Sequence, residues 1–210
     1  MPISTTINTI RHGQTDYGLE KRYAGSIDVP LSRVGIAACR RGRKALQRVS
    51  FDVVVTSHLA RAVETGHLLV PDAPRYVQSR LCAERTFGEM EGLTWEEVQR
   101  LEPPVMFIEV GHDLHSVNPR GGESFEQVWQ RALQFRRYLF REHRGSNILI
   151  VSHGVFIQMF HGVLRGITCI ESLASYPANL EYSTFRFIGQ RLVEENVRSL
   201  GGRGREQASF

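Results

Sequence analysis

The chain has 210 residues, 41% of them hydrophobic and 23% charged, with a net charge of +4 at pH 7. That length and apolar content suit one α/β domain with a sizeable core, and no run reaches the ~18 apolar residues that a membrane-spanning helix needs. Only Lys21 and Lys44 are lysines, and the one basic cluster (Arg40, Arg41, Arg43, Lys44, Arg48) lies on the polar face of an expected helix, so the charge suits a small anionic substrate better than nucleic acid.

In chain order, residues 5–10 are rich in β-branched side chains and read as a strand. The strand ends at Arg11-His12-Gly13, where glycine permits a sharp turn and a close approach of backbone to ligand. Residues 14–30 form a loop. Ser32 then caps a helix to about residue 49, with Val34, Ala38, Ala45 and Val49 along one side. Residues 51–56 are almost all apolar, the pattern of a strand buried on both faces. A helix over 59–69 leads to a short extended piece at 75–78.

Residues 80–93 make a loop punctuated by glycine, and Thr94 with Glu97 forms a capping box for a short helix to Leu101. Pro103 and Pro104 stop it. From there to Gly122 no periodicity emerges, and the stretch reads as loop or short helix over one face. Ser124 and Gln127 form a second capping box, opening a helix to about His143. Residues 147–152 are another buried-type strand, followed by His153-Gly154 and an apolar helix to Leu164. Residues 182–188 and 191–197 make a hairpin around Gly189-Gln190. Residues 200–210, rich in glycine, read as a disordered tail behind a single domain spanning 1–199. Alternating strands and helices predict an α/β fold, a three-layer sandwich with a mostly parallel mixed sheet flanked by helices.

Three of these strands end alike. The first delivers Arg11-His12-Gly13, the second Thr56-Ser57-His58 with Arg61 a turn later, the third Ser152-His153-Gly154. Ligands of open α/β sheets bind beyond the carboxyl ends of the strands. If the three are parallel neighbours, two arginines and several histidines converge on one pocket, joined by the N–H groups of the following helices. The chemistry is that of a phosphate site.

Longer motifs surround these ends. They are Arg11-His12-Gly13-Gln14-Thr15, Arg22-Tyr23-Ala24-Gly25, Asp28-Val29-Pro30-Leu31-Ser32, Thr56-Ser57-His58-Leu59-Ala60-Arg61-Ala62, Glu84-Arg85-Thr86-Phe87-Gly88-Glu89-Met90-Glu91-Gly92, Gly121-Gly122-Glu123-Ser124 and Val151-Ser152-His153-Gly154. In this order, over roughly residues 5–190, they resemble the signature of the histidine phosphatase superfamily, also called the phosphoglycerate mutase-like family.

The resemblance implies phosphoryl transfer through a phosphohistidine, with neither metal nor cofactor. His12 would be the nucleophile and Glu84 the acid that protonates the leaving oxygen, then the base that activates water. Arg11, Arg61 and His153 would hold the phosphoryl oxygens, with Arg22 as a further anion contact; the planar guanidinium meets phosphate bidentately and stays charged. Arginines flanking His12 also disfavour its imidazolium form. Gly25, Arg85, His58 and His112 are candidates for substrate contact, as are Asp113 and His115 in the aperiodic stretch. Glu89 and Glu91 rival Glu84 by proximity. His67, His143 and His161 lie on helices and read as surface or core residues. Three positions depart from the family: His58 replaces its usual proline, Gly18 a frequent asparagine and Met90 a frequent tryptophan.

A compact chain with a glycine-rich tail, and an 84–92 segment closer to the phosphatase branch, favour a phosphatase over a mutase. The expected substrate is a small phosphorylated metabolite, such as a sugar phosphate or a nucleoside-type phosphate like α-ribazole phosphate. The alternatives are mutase-type transfer and a silent module that binds a phospho-ligand, for which Gly18 is the only feature. A metal site on His12, His58 and His153 is disfavoured because the neighbouring arginines repel a cation. No nucleic-acid or membrane partner is expected, and the reading accommodates a homodimer. Met1-Pro2-Ile3-Ser4 lacks the start of a signal peptide, and the unpaired Cys39, Cys82 and Cys169 fit a reducing compartment, so a cytoplasmic location is expected.

Overall fold

The computed structural model describes residues 3–111 and 113–200; Leu200, the first residue of the expected tail, is instead buried, with its N–H on the Leu180 carbonyl at 3.1 Å, while residues 201–210 and the candidate His112 lie outside the described residues. β1 (Ser4–Arg11) is extended, with residues 7–10 buried, as its β-branched composition predicts. A short helix, α1 (Asp16–Leu19), capped by Thr15, interrupts the expected 14–30 loop. α2 (Arg33–Leu46) opens on the Ser32 cap. β2 (Val53–Ser57), wholly buried, leads through α3 (Ala60–Leu69) to β3 (Tyr76–Ser79). Two 3-10 turns, Arg80–Cys82 and Gly88–Met90, punctuate the glycine-containing loop. α4 (Trp95–Val98) then starts on the expected capping box of Thr94 and Glu97.

The aperiodic stretch is neither plain loop nor helix. It forms an antiparallel hairpin of β4 (Phe107–Val110) and β5 (Asp113–Ser116), with Val110 opposite Asp113. Four-residue strands that are partly exposed on both sides carry too little alternation to announce themselves. α5 (Phe125–Glu142) follows with its Ser124–Gln127 capping box, then β6 (Asn147–Ser152), α6 (Gly154–Arg165), the short α7 (Cys169–Ser172), β7 (Glu181–Ile188) and β8 (Arg191–Ser199).

Six strands form one sheet in the order β3-β2-β6-β1-β7-β8. β6 pairs in parallel with β1 and with β2, β2 pairs in parallel with β3, and β7 and β8 close the other edge antiparallel. Ile7, Val55, Ile148 and Ile150 face α5 and α6 on one side, where Phe135, Phe156 and Phe160 are fully buried. Ile10, Val54, Leu149 and Val151 face α2 and α3 on the other. This is the expected three-layer α/β sandwich.

The face of α2 differs from its sequence pattern. Val34 is 55% exposed, and the buried line runs through Gly35, Cys39, Gly42 and Leu46. The pattern weighs apolar side chains, whereas this helix makes its closest contact through a missing one. A Cβ on Gly35 would stand 2.1 Å from the Gln14 carbonyl oxygen. Ser32 reinforces the contact, donating to that same oxygen from its backbone N–H at 2.9 Å and its hydroxyl at 3.2 Å. The Gly35→Ala variant is therefore expected to lose roughly 1–3 kcal/mol by overpacking. The check is a urea midpoint that falls at unchanged slope; a variant as stable as the parent protein would show that α2 does not press on residue 14.

Candidate active site

At the carboxyl edge of the sheet the backbone of His12 is held from two sides. Its N–H donates to the Ser152 carbonyl at 2.9 Å, extending the β1–β6 ladder by one residue. Its carbonyl accepts from Asn179 Nδ2 at 2.7 Å. The His12 ring is buried, and Nδ1 lies 2.7 Å from the Gly13 carbonyl oxygen. A carbonyl oxygen only accepts, so Nδ1 carries the hydrogen and Nε2 keeps its lone pair. Burial first, then the charges of Arg61 and Arg11, hold this imidazole well below its ordinary pKa. At neutral pH the ring is uncharged.

His153 caps α6 and its ring centroid lies 5.1 Å from that of His12. Arg61 Nε donates to His153 Nδ1 at 3.2 Å, which puts the hydrogen of the neutral ring on Nε2; that atom is buried with no partner among the described residues. Burial, then Arg61 and His12, keeps His153 neutral too. Arg61 is itself buried and fixed by carbonyls: Nη1 donates to Ile27 at 2.8 Å and Nη2 to Gly25 at 2.7 Å. Arg11 Nη1 donates to the Pro177 carbonyl at 2.9 Å, and its guanidinium carbon sits 4.8 Å from the Tyr176 ring centroid.

Glu84 comes from the loop after β3. Its Oε1 accepts from the Arg85 N–H at 2.9 Å and from the Phe156 N–H, in the first turn of α6, at 3.2 Å. Two backbone donors on one oxygen fix the direction of the carboxyl group. Arg85 is fully buried, donating from Nε to the Glu123 carbonyl at 2.7 Å and from Nη1 to the Ser116 carbonyl at 2.8 Å. Its guanidinium lies 4.0 Å over the Phe125 ring, and burial lowers its pKa to about 10. Arg22 is held at the rim by Glu20 at 2.8 Å and Glu97 at 3.1 Å.

Arg11, His12, Arg22, Gly25, Arg61, Glu84 and Arg85 all line one cavity of about 110 Å3. His153 stands behind them against His12. Asp113 and His115, from the hairpin, line the same cavity. His58 is a correction. It lines a separate depression with Arg80, Arg131 and Glu84 rather than the cavity that holds Arg11, His12 and Arg61. The rival carboxylates are occupied elsewhere: Glu89 pairs with Arg120 at 2.7 Å, and Glu91 accepts from the N–H groups of Ser26 and Phe87, each at 2.9 Å. Gly18 lines the cavity while its N–H donates to the Thr15 hydroxyl at 3.1 Å. Met90 is wholly buried, a packing residue. His67 stacks on Tyr76 at the surface, whereas His143 and His161 are buried in the core.

Tyr176, Pro177 and Asn179 are site residues that the sequence reading missed. They lie in the segment between α7 and β7, which has neither periodicity nor a motif, so no local signal points to them. The one trace is Gly154, where a Cβ would stand 2.0 Å from the Tyr176 hydroxyl oxygen.

The histidine phosphatase superfamily (branch 1) model matches residues 7–198. The chain is 32% identical over 167 residues to a 2,3-bisphosphoglycerate-dependent phosphoglycerate mutase of Methylobacterium sp. (strain 4-46), spanning 75% of this chain and 79% of that protein. It is 30% identical over 168 residues to a metal-independent phosphoserine phosphatase of Arabidopsis thaliana, spanning 78% of this chain and 67% of that one. Among solved structures, Bacillus stearothermophilus YhfR superposes with a TM-score of 0.78 at 25% identity, over 90% of this chain and 94% of that chain. A match that runs from within β1 to within β8, on a sheet whose edge gathers these side chains, means that the chain belongs to branch 1 of the histidine phosphatase superfamily.

Proposed function

We propose that the chain is a metal-independent phosphatase that hydrolyses a small phosphate monoester through a phosphohistidine on His12. The observation that carries this reading is the His12 tautomer: with Nδ1–H tied to the Gly13 carbonyl, the lone pair of a neutral ring is left on Nε2. Nε2 attacks phosphorus in line with the ester oxygen, the P–N bond forms and the P–O bond breaks. Glu84 gives its proton to the departing oxygen. The resulting carboxylate then takes a proton from water as that water attacks phosphorus, and phosphate leaves with His12 neutral again.

Arg11, Arg61 and the Nε2–H of His153 carry the charge on the equatorial oxygens. Arg61 also orients His153, and Gly25 orients Arg61 through its carbonyl. Arg22 adds an anion contact at the rim. Arginines beside both histidines oppose a metal cation there, which supports metal-independent chemistry. A mutase reading draws support from the Methylobacterium relative, and a mutase would isomerise 3-phosphoglycerate in the presence of 2,3-bisphosphoglycerate with little phosphate release.

p-Nitrophenyl phosphate should be hydrolysed equally with and without EDTA, and not at all by His12→Ala. Loss of turnover with chelator would sink the metal-independent reading, and tight phosphate binding without turnover would indicate a silent module. Glu84→Gln should lower kcat by about 100- to 10,000-fold on alkyl phosphates. The loss should be smaller on p-nitrophenyl phosphate, whose leaving group departs without a proton; equal losses on both would show that Glu84 is not the acid. Because the His12 pKa is depressed, its neutral form persists as the pH falls through the ordinary imidazole value of 6.5. The kcat/KM, corrected for substrate ionisation, should stay level there, and Arg11→Met should move the acid limb to higher pH. A wild-type limb centred at 6.5 would contradict a nucleophile held neutral.

A further inference from the structure

The cavity over His12 is strongly asymmetric in charge. Arg11, Arg22, Arg61 and Arg85 reach it from its floor and rim, as a doubly negative phosphoryl group requires. Into the same cavity the β4–β5 hairpin brings a carboxylate, Asp113, at the first residue of β5. Asp113 is half-buried, and no donor pairs with it among the described residues. None of the four arginines forms an ion pair with it among the described residues. Arg11 is taken by the Pro177 carbonyl, Arg22 by Glu20 and Glu97, Arg61 by the carbonyls of residues 25 and 27, and Arg85 by Glu123 and Ser116. Its charge nonetheless reaches the middle of the site: it adds to the burial that raises the Tyr176 hydroxyl, and it opposes the burial that lowers the His115 ring. Tyr176 is the same ring that carries the Arg11 guanidinium.

An unpaired carboxylate beside an anion-binding floor works against any second negative charge on the substrate, and it attracts a positive one. Phe87, Leu114 and Val155 supply apolar wall in the same cavity, suited to a short carbon stem. We infer that Asp113 is a specificity-determining residue, and that the alcohol portion of the substrate carries an ammonium group. The class is a phosphorylated amino alcohol, with its phosphoryl group against His12 and its ammonium against Asp113. This rests on the phosphatase reading above.

The test is steady-state kinetics of the full chain on phosphoethanolamine, propyl phosphate, glycerol 1-phosphate and p-nitrophenyl phosphate. Propyl phosphate replaces the ammonium with a methyl group of similar size. The kcat/KM for phosphoethanolamine should exceed that for propyl phosphate by about tenfold or more. The ratio should collapse toward one in Asp113→Asn and survive in Asp113→Glu, a pattern that a merely structural role would not produce. A wild-type ratio near one, a ratio unchanged in Asp113→Asn, or a preference for glycerol 1-phosphate over both would overturn the assignment. Turnover of p-nitrophenyl phosphate with no ammonium preference overturns the role of Asp113 alone. Failure to hydrolyse any of the four esters removes the phosphatase reading, and this inference with it.

Discussion

The parallel pairing of β6 between β1 and β2 is the constraint on which the site depends. Register sets Arg11 opposite Ser152 and Thr56 opposite Val151, so the three strands stop at the same level of the sheet. Each turn that follows must then dispose of a reactive side chain at once: His12 after β1, His153 after β6, Arg61 one turn into α3. Their convergence needs no long-range search beyond the pairing itself. It also explains why so much packing in the region runs through backbone and small residues. Gln14 presses on Gly35, and Gly154 leaves the space that Tyr176 fills. Three polypeptide turns packed beside one another leave little room for Cβ atoms.

A second regularity concerns the partners given to the cations. Arg61 and Arg85 are wholly buried, and their hydrogen-bond acceptors among the described residues are neutral: carbonyls, one hydroxyl and the His153 ring nitrogen. Arg11 is likewise held by a carbonyl. Away from the floor the pattern reverses, and Arg22, Arg120 and Arg131 pair with glutamates. Carbonyl dipoles orient a guanidinium without cancelling its charge, so the positive potential remains for an anionic ligand. Burial of uncancelled charge opposes folding, and the same potential adds to burial in holding both imidazoles below their ordinary pKa. One arrangement thus leaves positive potential for an anion and favours uncharged imidazoles together.

Much of this was legible in the sequence. The buried strands showed as apolar runs, and the helix starts at Ser32, Thr94 and Ser124 showed through their capping residues, because both signals are local. The convergence of Arg11, His12, Arg61 and His153 was legible from three similar strand ends plus one topological rule. What escaped has a common physical cause. The β4–β5 hairpin, Tyr176 and Asn179 are placed by tertiary packing of segments with no strong period or motif. The apolar side of α2 that includes Val34 is not its buried line, because a hydrophobicity pattern cannot register contact made by glycine. His58 looked equivalent to His12 and His153 by position, yet the turn after β2 spends its inward direction on Arg61.

The two halves of the cavity consequently stand on different footings. The floor is built on strand ends whose positions follow from sheet register, and shifting any of them would disturb the core on both faces. The wall comes from the β4–β5 hairpin and the segment after α7, which hang outside the six-stranded sheet and contribute few fully buried side chains. Substitutions there alter the shape and charge met by the leaving group while the register that aligns His12 with Ser152 stays intact. A family whose members carry such different names as mutase and phosphoserine phosphatase on one framework is what this division of labour produces. In this chain the wall contributes a carboxylate where the floor contributes arginines. On the proposed reading, discrimination among esters falls to the charges lining the wall, while the phosphoryl chemistry remains with the strand ends.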